Sequence, residues 1–224
     1  MKIFIRIIYV LMYTIIIVTV GGFICSRKTE NKIRSDIYGN SESYMIAYEH
    51  TVKTYTNSYG TFIDDDMSFF INECSSSFGV DVNLVVSILE QENPLLVFDA
   101  VSKPNKDGTV DVGLFQLNDK YLYAKDGFLD KYWDTSLGEF NASNWKHSTY
   151  VAIKLIGDLE KMFGEGNIFW IACAYNAGPQ RAYKEWTRTR GDDTVYLPES
   201  TLNRYAPSVL QNYNKWTKIV DSFK

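Results

Sequence analysis

The chain has 224 residues, of which 46% are hydrophobic, 15% aromatic and 22% charged. This composition is typical of a globular protein and excludes a disordered, collagen-like or coiled-coil chain. The first 34 residues hold six Lys and Arg and one acidic residue, whereas the rest hold 17 Lys and Arg against 26 Asp and Glu. Such an acidic body argues against a nucleic-acid partner, which requires a basic face. Three Cys, two His and no Cys-x-x-Cys motif argue against a structural zinc site.

Residues 7–25 carry no formal charge. As a helix this run spans roughly 28 Å, close to the thickness of the hydrocarbon core of a membrane. The sequence therefore predicts one N-terminal transmembrane helix. A cleaved signal peptide ending near Gly22 and a lipoprotein acylated on Cys25 are the alternatives, and Ile24 disfavours the second. Four Lys and Arg follow the run and two precede it, so the positive-inside rule alone would place the body in the cytoplasm.

The predicted organisation is a membrane anchor or signal sequence at 1–25, a polar stalk at 26–62 and a helical domain at 63–224. Within the stalk, apolar side chains at spacings of three and four predict a short amphipathic helix over 43–55. The domain is long enough to bury one core. Cys74 and Cys173 lie on apolar helix faces, which predicts buried thiols rather than a disulfide.

Residues typical of helix ends recur along the domain. Asp64 is predicted to cap a helix that ends at Gly79, and Asp81 a second helix that runs to about Asn93. Pro94 then stops that helix. Later helices are predicted over 148–163, 167–175 and 200–218.

Residues 95–118 predict a small β-hairpin, because Thr109 to Val112 alternates in polarity and residues 106–108 have the composition of a turn. Asn105, Asp107 and Asp111 superficially resemble a calcium loop. Lys103 stands where the first ligand should be, however, and no Glu occupies the twelfth position. The sequence therefore predicts no metal site in this loop.

Glu92 carries the chemical argument. It lies seven residues after Val85, four after Ile88 and three after Leu89, which places it on the stripe of the second helix that faces the core. A carboxyl held against an apolar interior has a raised pKa, and a raised pKa suits a general acid. Glu90 points elsewhere and is predicted to be solvated. On this helix alone, a Glu that reaches solvent or pairs with an Arg is the simpler interpretation.

Further segments resemble, in order, the lytic transglycosylase SLT family of the lysozyme superfamily. The resemblance covers about residues 78–215, and its pattern Asp-Gly-x-x-Asp-x-Gly-Leu-x-Gln is closer to the small secretion- and invasion-associated transglycosylases. The segments that carry it are the apolar helix 84–93, the stretch 98–102, Gly113-Leu114-Phe115-Gln116, Ala174-Tyr175-Asn176-Ala177-Gly178-Pro179, and Leu197 to Thr201 followed by Tyr205.

Three departures from the family pattern stand out. Asn93 replaces the usual Ser after the Glu, and Phe115 replaces Met. A longer loop, Lys103–Asp111, separates Ser102 from the Gly-Leu-Phe-Gln segment. None of these changes touches Glu92.

The resemblance implies a mainly α, lysozyme-like fold and cleavage of the β-1,4 bond between N-acetylmuramic acid and N-acetylglucosamine in peptidoglycan, without a cofactor. Most glycosidases use two carboxylates, but this family implies one. Glu92 would protonate the leaving oxygen and then, as a base, take the proton of the C6 hydroxyl, which closes a 1,6-anhydro ring. The substrate's 2-acetamido group would stabilise the intermediate oxocarbenium ion.

The resemblance also implies substrate-binding residues. Gln116 and the backbone of Gly113 and Leu114 would line the floor of the groove, and Tyr205 would lie near Glu92. Tyr175 and Asn176 would contact the sugar, and Ser102 would hydrogen-bond the substrate. Core packing remains an alternative for both tyrosines, and Gly178-Pro179 is interpreted as a helix stop.

Because peptidoglycan lies outside the cytoplasmic membrane, we expect the domain on the periplasmic side of the inner membrane, against the positive-inside count. The predicted partners are glycan strands, the membrane through residues 7–25 and an envelope or secretion machine. The alternatives are a goose-type lysozyme-like hydrolase, with Asp99 or Asp111 activating water, and a non-catalytic peptidoglycan-binding assembly factor. A membrane protein that faces the cytoplasm and resembles the family by chance is a further alternative.

Overall fold

Eight α-helices and one two-stranded sheet make up the part of the protein that the computed structural model describes, residues 58–188 and 197–223. The predicted anchor, the predicted helix over 43–55 and most of the predicted stalk lie outside these residues. The elements in chain order are α1 (Asp65–Phe78), α2 (Val82–Glu92), β1 (Asp111–Val112), β2 (Leu117–Asn118), α3 (Asp119–Leu122), α4 (Phe128–Tyr132), a 3₁₀ turn (Thr135–Leu137), α5 (Trp145–Phe163), α6 (Ile168–Ala177), α7 (Pro179–Arg188), a π-helical turn (Thr201–Tyr205) and α8 (Ala206–Asp221).

Side-chain caps fix the ends of the first two helices. The Asp64 carboxylate accepts a hydrogen bond from the Met67 N–H (2.8 Å), and α1 ends at Gly79 with φ 64°. The Asp81 carboxylate accepts a hydrogen bond from the Asn83 N–H (2.9 Å), at the start of α2. Asp satisfies free N–H groups at a helix start, and Gly adopts the left-handed conformation without strain. The predicted boundaries of both helices are confirmed.

The short sheet is antiparallel, and its turn differs from the predicted one. Asp111 pairs with Asn118 and Val112 with Leu117, so the connecting turn is residues 113–116. The predicted turn near residue 107 also forms, since the Gly108 N–H donates to the Asn105 carbonyl (2.9 Å). On that side, however, the ladder is reduced to an isolated bridge between Val101 and Val112.

Helix α8 packs against α2 and α6. Its Trp216 is 2% exposed and donates its indole N–H to Glu90 (2.8 Å). The ammonium group of Lys215 contacts the same carboxylate at 2.5 Å. The prediction of a solvated Glu90 is therefore wrong, because sequence spacing within α2 cannot show a partner 125 residues away.

Packing begins before residue 63. Tyr59 is fully buried, its ring meets that of Trp216 edge-on at 5.2 Å, and its hydroxyl donates to Asn83 Oδ1 (2.6 Å). Residues at the end of the predicted stalk thus belong to the core.

Gly178 and Pro179 have two roles. Helix α6 ends at Ala177, and Gly178 follows with φ 94°, which confirms the predicted stop. Pro179 then begins α7, a helix that was not predicted. Proline suits the first position of a helix because its fixed φ is helical and its missing N–H is not needed there.

Cys74 and Cys173 are both buried, free thiols, as predicted. Within residues 58–188 and 197–223, no helix is long and apolar enough to cross a membrane.

Candidate functional site

Glu92 is the last residue of α2 and meets Tyr205 from the far end of the chain. The Tyr205 hydroxyl donates to Glu92 Oε1 at 2.5 Å. Tyr205 ends the π-helical turn that leads into α8 and is buried. Part of Glu92 remains open to solvent, although its carboxyl is enclosed by protein atoms. The carboxyl thus lies on the core side of α2, as its position on the apolar stripe predicts.

Burial raises the pKa of Glu92 to about 8. The Tyr205 hydrogen bond opposes this shift by favouring the charged form, and the negative charge of Asp111 adds to it. At neutral pH the carboxyl therefore holds its proton and can donate it.

Tyr175 binds the turn between the two strands. Its hydroxyl donates to the Phe115 carbonyl (2.9 Å). Burial raises the pKa of Tyr175 well above its ordinary value, and the charges of Glu92 and Asp111 raise it further. Because these groups act on one another, we call Glu92, Asp111, Tyr175 and Tyr205 the Glu92 cluster.

Two residues of the turn at 113–116 have a positive φ, a conformation that favours glycine. Gly113 has φ 74°, and a Cβ there would lie 2.5 Å from the Ala142 carbonyl oxygen. Gln116 also has a positive φ (47°), and its side-chain amide donates to the Gly113 carbonyl (2.9 Å). The amide thus stabilises the backbone of the turn.

The other predicted substrate-binding residues differ in what they can offer. Leu114 is fully buried, so it packs in the core and presents no surface to a ligand. The Ser102 hydroxyl accepts from the Asp111 N–H (2.9 Å) and donates to the Lys103 carbonyl, so it holds the loop together. Asn176 is exposed, and its Oδ1 accepts a hydrogen bond from Thr201 (2.6 Å).

Asn93, which stands in place of the family's Ser, closes the loop after α2. Its side-chain amide donates to the Val97 carbonyl (2.7 Å) and its Oδ1 accepts from the Val97 N–H (2.9 Å). Asn93 itself is 5% exposed, and both bonds are partly buried. An Asn can make this pair of bonds because its side chain carries both a donor and an acceptor.

Sequence analysis missed the residues that hold Asp111. The Asn118 amide donates to Asp111 Oδ1 (2.9 Å) and the Asn105 amide to Asp111 Oδ2 (3.3 Å). Asn118 is the cross-strand neighbour of Asp111, a pairing that depends on where the turn lies. The pattern of Asn105, Asp107 and Asp111, which superficially resembles a calcium loop, thus belongs to a hydrogen-bonded hairpin. In the described part of the chain, no group of three or more His, Cys, Asp or Glu side chains could hold a metal ion.

We expect Tyr205→Phe to raise the pKa of Glu92 above about 8. The hydrogen bond from Tyr205 stabilises the ionised carboxylate, and the substitution removes it. A carbon-detected NMR titration of the Glu92 carboxyl measures this shift. The matched control is Tyr213→Phe, which removes a tyrosine hydrogen bond to Asp81 (2.7 Å) from α8. A Glu92 titration that moves equally in both variants would refute a specific role for Tyr205.

A comparison with protein-family models matches the transglycosylase SLT domain over residues 69–197. This match includes Glu92, Asp111 and Tyr175 and ends before Tyr205. Neither the curated proteins nor the solved structures contain a match to the chain.

Proposed function

The chain belongs to the transglycosylase SLT-domain family, and from that premise we propose that it is a membrane-anchored lytic transglycosylase in which Glu92 is the general acid and base. The family supplies the reaction class and the peptidoglycan substrate. The observation that supports Glu92 is its enclosed carboxyl, which has a pKa of about 8 and accepts a hydrogen bond from Tyr205.

The proposed reaction starts with a protonated Glu92, which donates its proton to the glycosidic oxygen between N-acetylmuramic acid and N-acetylglucosamine. As the bond to this oxygen breaks, the 2-acetamido group stabilises the positive charge on the muramic acid ring. The ionised Glu92 then takes the proton of the C6 hydroxyl, whose oxygen bonds to C1. Glu92 returns to its protonated state, and the new chain end is a 1,6-anhydro sugar.

The tyrosines position the acid in this proposal. Tyr205 donates to Oε1 in the charged state that follows the first proton transfer, which stabilises the carboxylate until it acts as a base. Tyr175 donates to the Phe115 carbonyl and thus stabilises the turn at 113–116. Gln116, in the turn at 113–116, and the exposed Asn176, near the end of α6, remain the proposed sugar contacts.

One observation favours a hydrolase as the second candidate. Asp111 lies close enough to raise the pKa of Glu92, so a second carboxylate is available in the site. A lysozyme-like enzyme would use such a group to activate water. The products separate the two reactions, because hydrolysis leaves a reducing muramic acid end.

The test is mass spectrometry of purified peptidoglycan digested by the full-length chain. Anhydro-muropeptides support the proposed transglycosylase, and reducing-end products favour the hydrolase instead. Binding to sacculi without release of any fragment would overturn both and favour a peptidoglycan-binding assembly factor.

We propose further that residues 7–25 hold the domain on the periplasmic side of the inner membrane, near the wall. The support is the uncharged length of this run together with the location of the substrate. Protease added to intact spheroplasts should digest the domain. Protection of the domain until the membrane is lysed would show that it faces the cytoplasm, and would leave the wall out of reach.

A further inference from the structure

We propose that Thr201 is a positioning residue, which fixes the side-chain amide of Asn176 so that its Nδ2 group donates a hydrogen bond to an oxygen of the bound glycan. This inference rests on the proposed function, in which Asn176 contacts the sugar, and deepens it. Thr201 itself would not touch the substrate, because only 1% of its surface is exposed.

The hydrogen bond between Thr201 and Asn176 joins a buried side chain to an exposed one. The Thr201 hydroxyl donates to Asn176 Oδ1 at 2.6 Å. A side-chain amide carries an acceptor oxygen and a nitrogen with two donor N–H groups. Because Thr201 bonds the oxygen, the nitrogen is the group that Asn176 presents to a ligand. Within residues 58–188 and 197–223, the structure gives this nitrogen no acceptor.

The backbone holds Thr201 in place from both directions. Its N–H donates to the Pro198 carbonyl (2.9 Å), and its carbonyl accepts from the Ala206 N–H. The π-helical turn that Thr201 begins also packs against α6, the helix that carries Asn176. A ligand-binding group that is held before the ligand arrives loses less conformational freedom on binding. Thr201 thus preorganises the exposed amide.

The same turn holds the proposed acid. Thr201 is the first residue of the π-helical turn and Tyr205 is the last, and the Tyr205 hydroxyl donates to Glu92 Oε1 at 2.5 Å. The proposed sugar contact and the proposed acid are therefore each hydrogen-bonded to one element of five residues. Short π-helical segments are rare and frequently occur at functional sites. Here the turn sets where the sugar lies relative to the carboxyl.

The first experiment measures KM and kcat for the release of anhydro-muropeptides from purified glycan strands by full-length wild type, Thr201→Val and Thr201→Ser. Val keeps the shape of the side chain without the donor, whereas Ser keeps the donor. We expect KM to rise about fivefold in Thr201→Val, the effect of one lost hydrogen bond, with kcat within about twofold. Thr201→Ser should return KM close to the value of wild type.

Thr187→Val is the matched control. Thr187 is exposed on α7, and its hydroxyl donates to the Tyr183 carbonyl of its own helix (2.9 Å). The substitution makes the same chemical change outside the proposed site, so we expect KM to stay at the value of wild type. An equal rise of KM in Thr187→Val and Thr201→Val would overturn the inference.

A double-mutant cycle tests whether Thr201 acts through Asn176. In the background of Asn176→Ala, Thr201→Val should raise KM no further, because the amide that it positions is already gone. A further fivefold rise in that background would overturn the inference. The alkaline limb of the rate, which follows the pKa of Glu92, should stay in place in Thr201→Val. A shift of this limb would show that the substitution acts through Tyr205 instead.

Asn176→Asp tests the donor group without changing the buried residue, and it replaces Thr201→Val if that variant does not fold. An Asp oxygen can still accept from Thr201, but Asp has no N–H to offer the sugar. We expect its KM to rise as in Asn176→Ala, and a KM equal to that of wild type would overturn the inference.

The failure of this inference differs from the failure of the proposed function. If folded Thr201→Val has the KM of wild type, the inference falls and the proposed function stands. If wild type releases no fragment from the glycan strands, the proposed function falls and the inference falls with it.

Discussion

Glu92→Gln is expected to lower the rate of anhydro-muropeptide release by about 10³-fold, because Gln can neither donate the proton to the leaving oxygen nor accept it from the C6 hydroxyl. The substitution keeps the size of the side chain, and the Gln carbonyl can still accept the Tyr205 hydrogen bond. Mass spectrometry of timed peptidoglycan digests measures the loss.

Glu90→Gln is the matched control for this loss. Glu90 lies two residues away on the same helix, but its carboxylate faces Lys215 and Trp216 rather than the cluster. We expect it to reduce stability through the weakened ion pair and to leave the rate within a few-fold of wild type. Equal losses in the two variants would mean that damage to α2, and not the missing acid, explains both.

The stability of Glu92→Gln gives an independent check that its loss of activity is chemical. The pKa of Glu92 is about 8 in the folded chain, against an ordinary value of 4.5. Between these two pH values the unfolded state releases a proton that the folded state keeps, so wild type loses stability as pH rises through this window. Gln does not titrate. Relative to wild type, the variant should therefore gain stability from pH 5 to pH 8, which thermal unfolding at the two pH values measures.

Features of the fold that depend on a few neighbouring residues could be predicted from the sequence. Asp64, Gly79 and Asp81 delimit α1 and α2 because caps act over three or four residues. The position of Glu92 followed from helical periodicity within one element. What could not be predicted is what comes from the far end of the chain, such as the Lys215 and Trp216 contacts that hold Glu90.

The hairpin shows the same limit at shorter range. The composition of Lys106 to Gly108 predicted that the hairpin turn lies there. The regular strand pair instead encloses the turn at residues 113–116. The pairing of Asp111 with Asn118 depends on that register, so the support of Asp111 could not be deduced from spacing alone. The hydrogen bonds of Asn93 and Ser102 within their loops could likewise not be predicted, because a resemblance does not show the partners of a side chain in the fold.

Gly113→Ala is expected to destabilise the folded chain by about 2–5 kcal/mol. A positive φ costs an Ala about 1–2 kcal/mol, since its Cβ crowds the backbone. The new Cβ would also lie 2.5 Å from the Ala142 carbonyl oxygen and 3.1 Å from Ser148 Oγ. Forcing atoms apart in a packed site adds about 1–3 kcal/mol. Urea unfolding measures the difference in the free energy of unfolding.

Gly108→Ala separates the two contributions. Gly108 also has a positive φ (83°), but a Cβ there would meet no atom within 4 Å. We expect only the backbone cost in that variant, about 1–2 kcal/mol. Equal destabilisation of the two variants would show that contact with Ala142 contributes nothing. If Gly113→Ala is the less stable, the folded fraction of that variant should also lose activity. Displacement of the turn at 113–116 moves Asp111 on one side and the Phe115 carbonyl, with Tyr175, on the other.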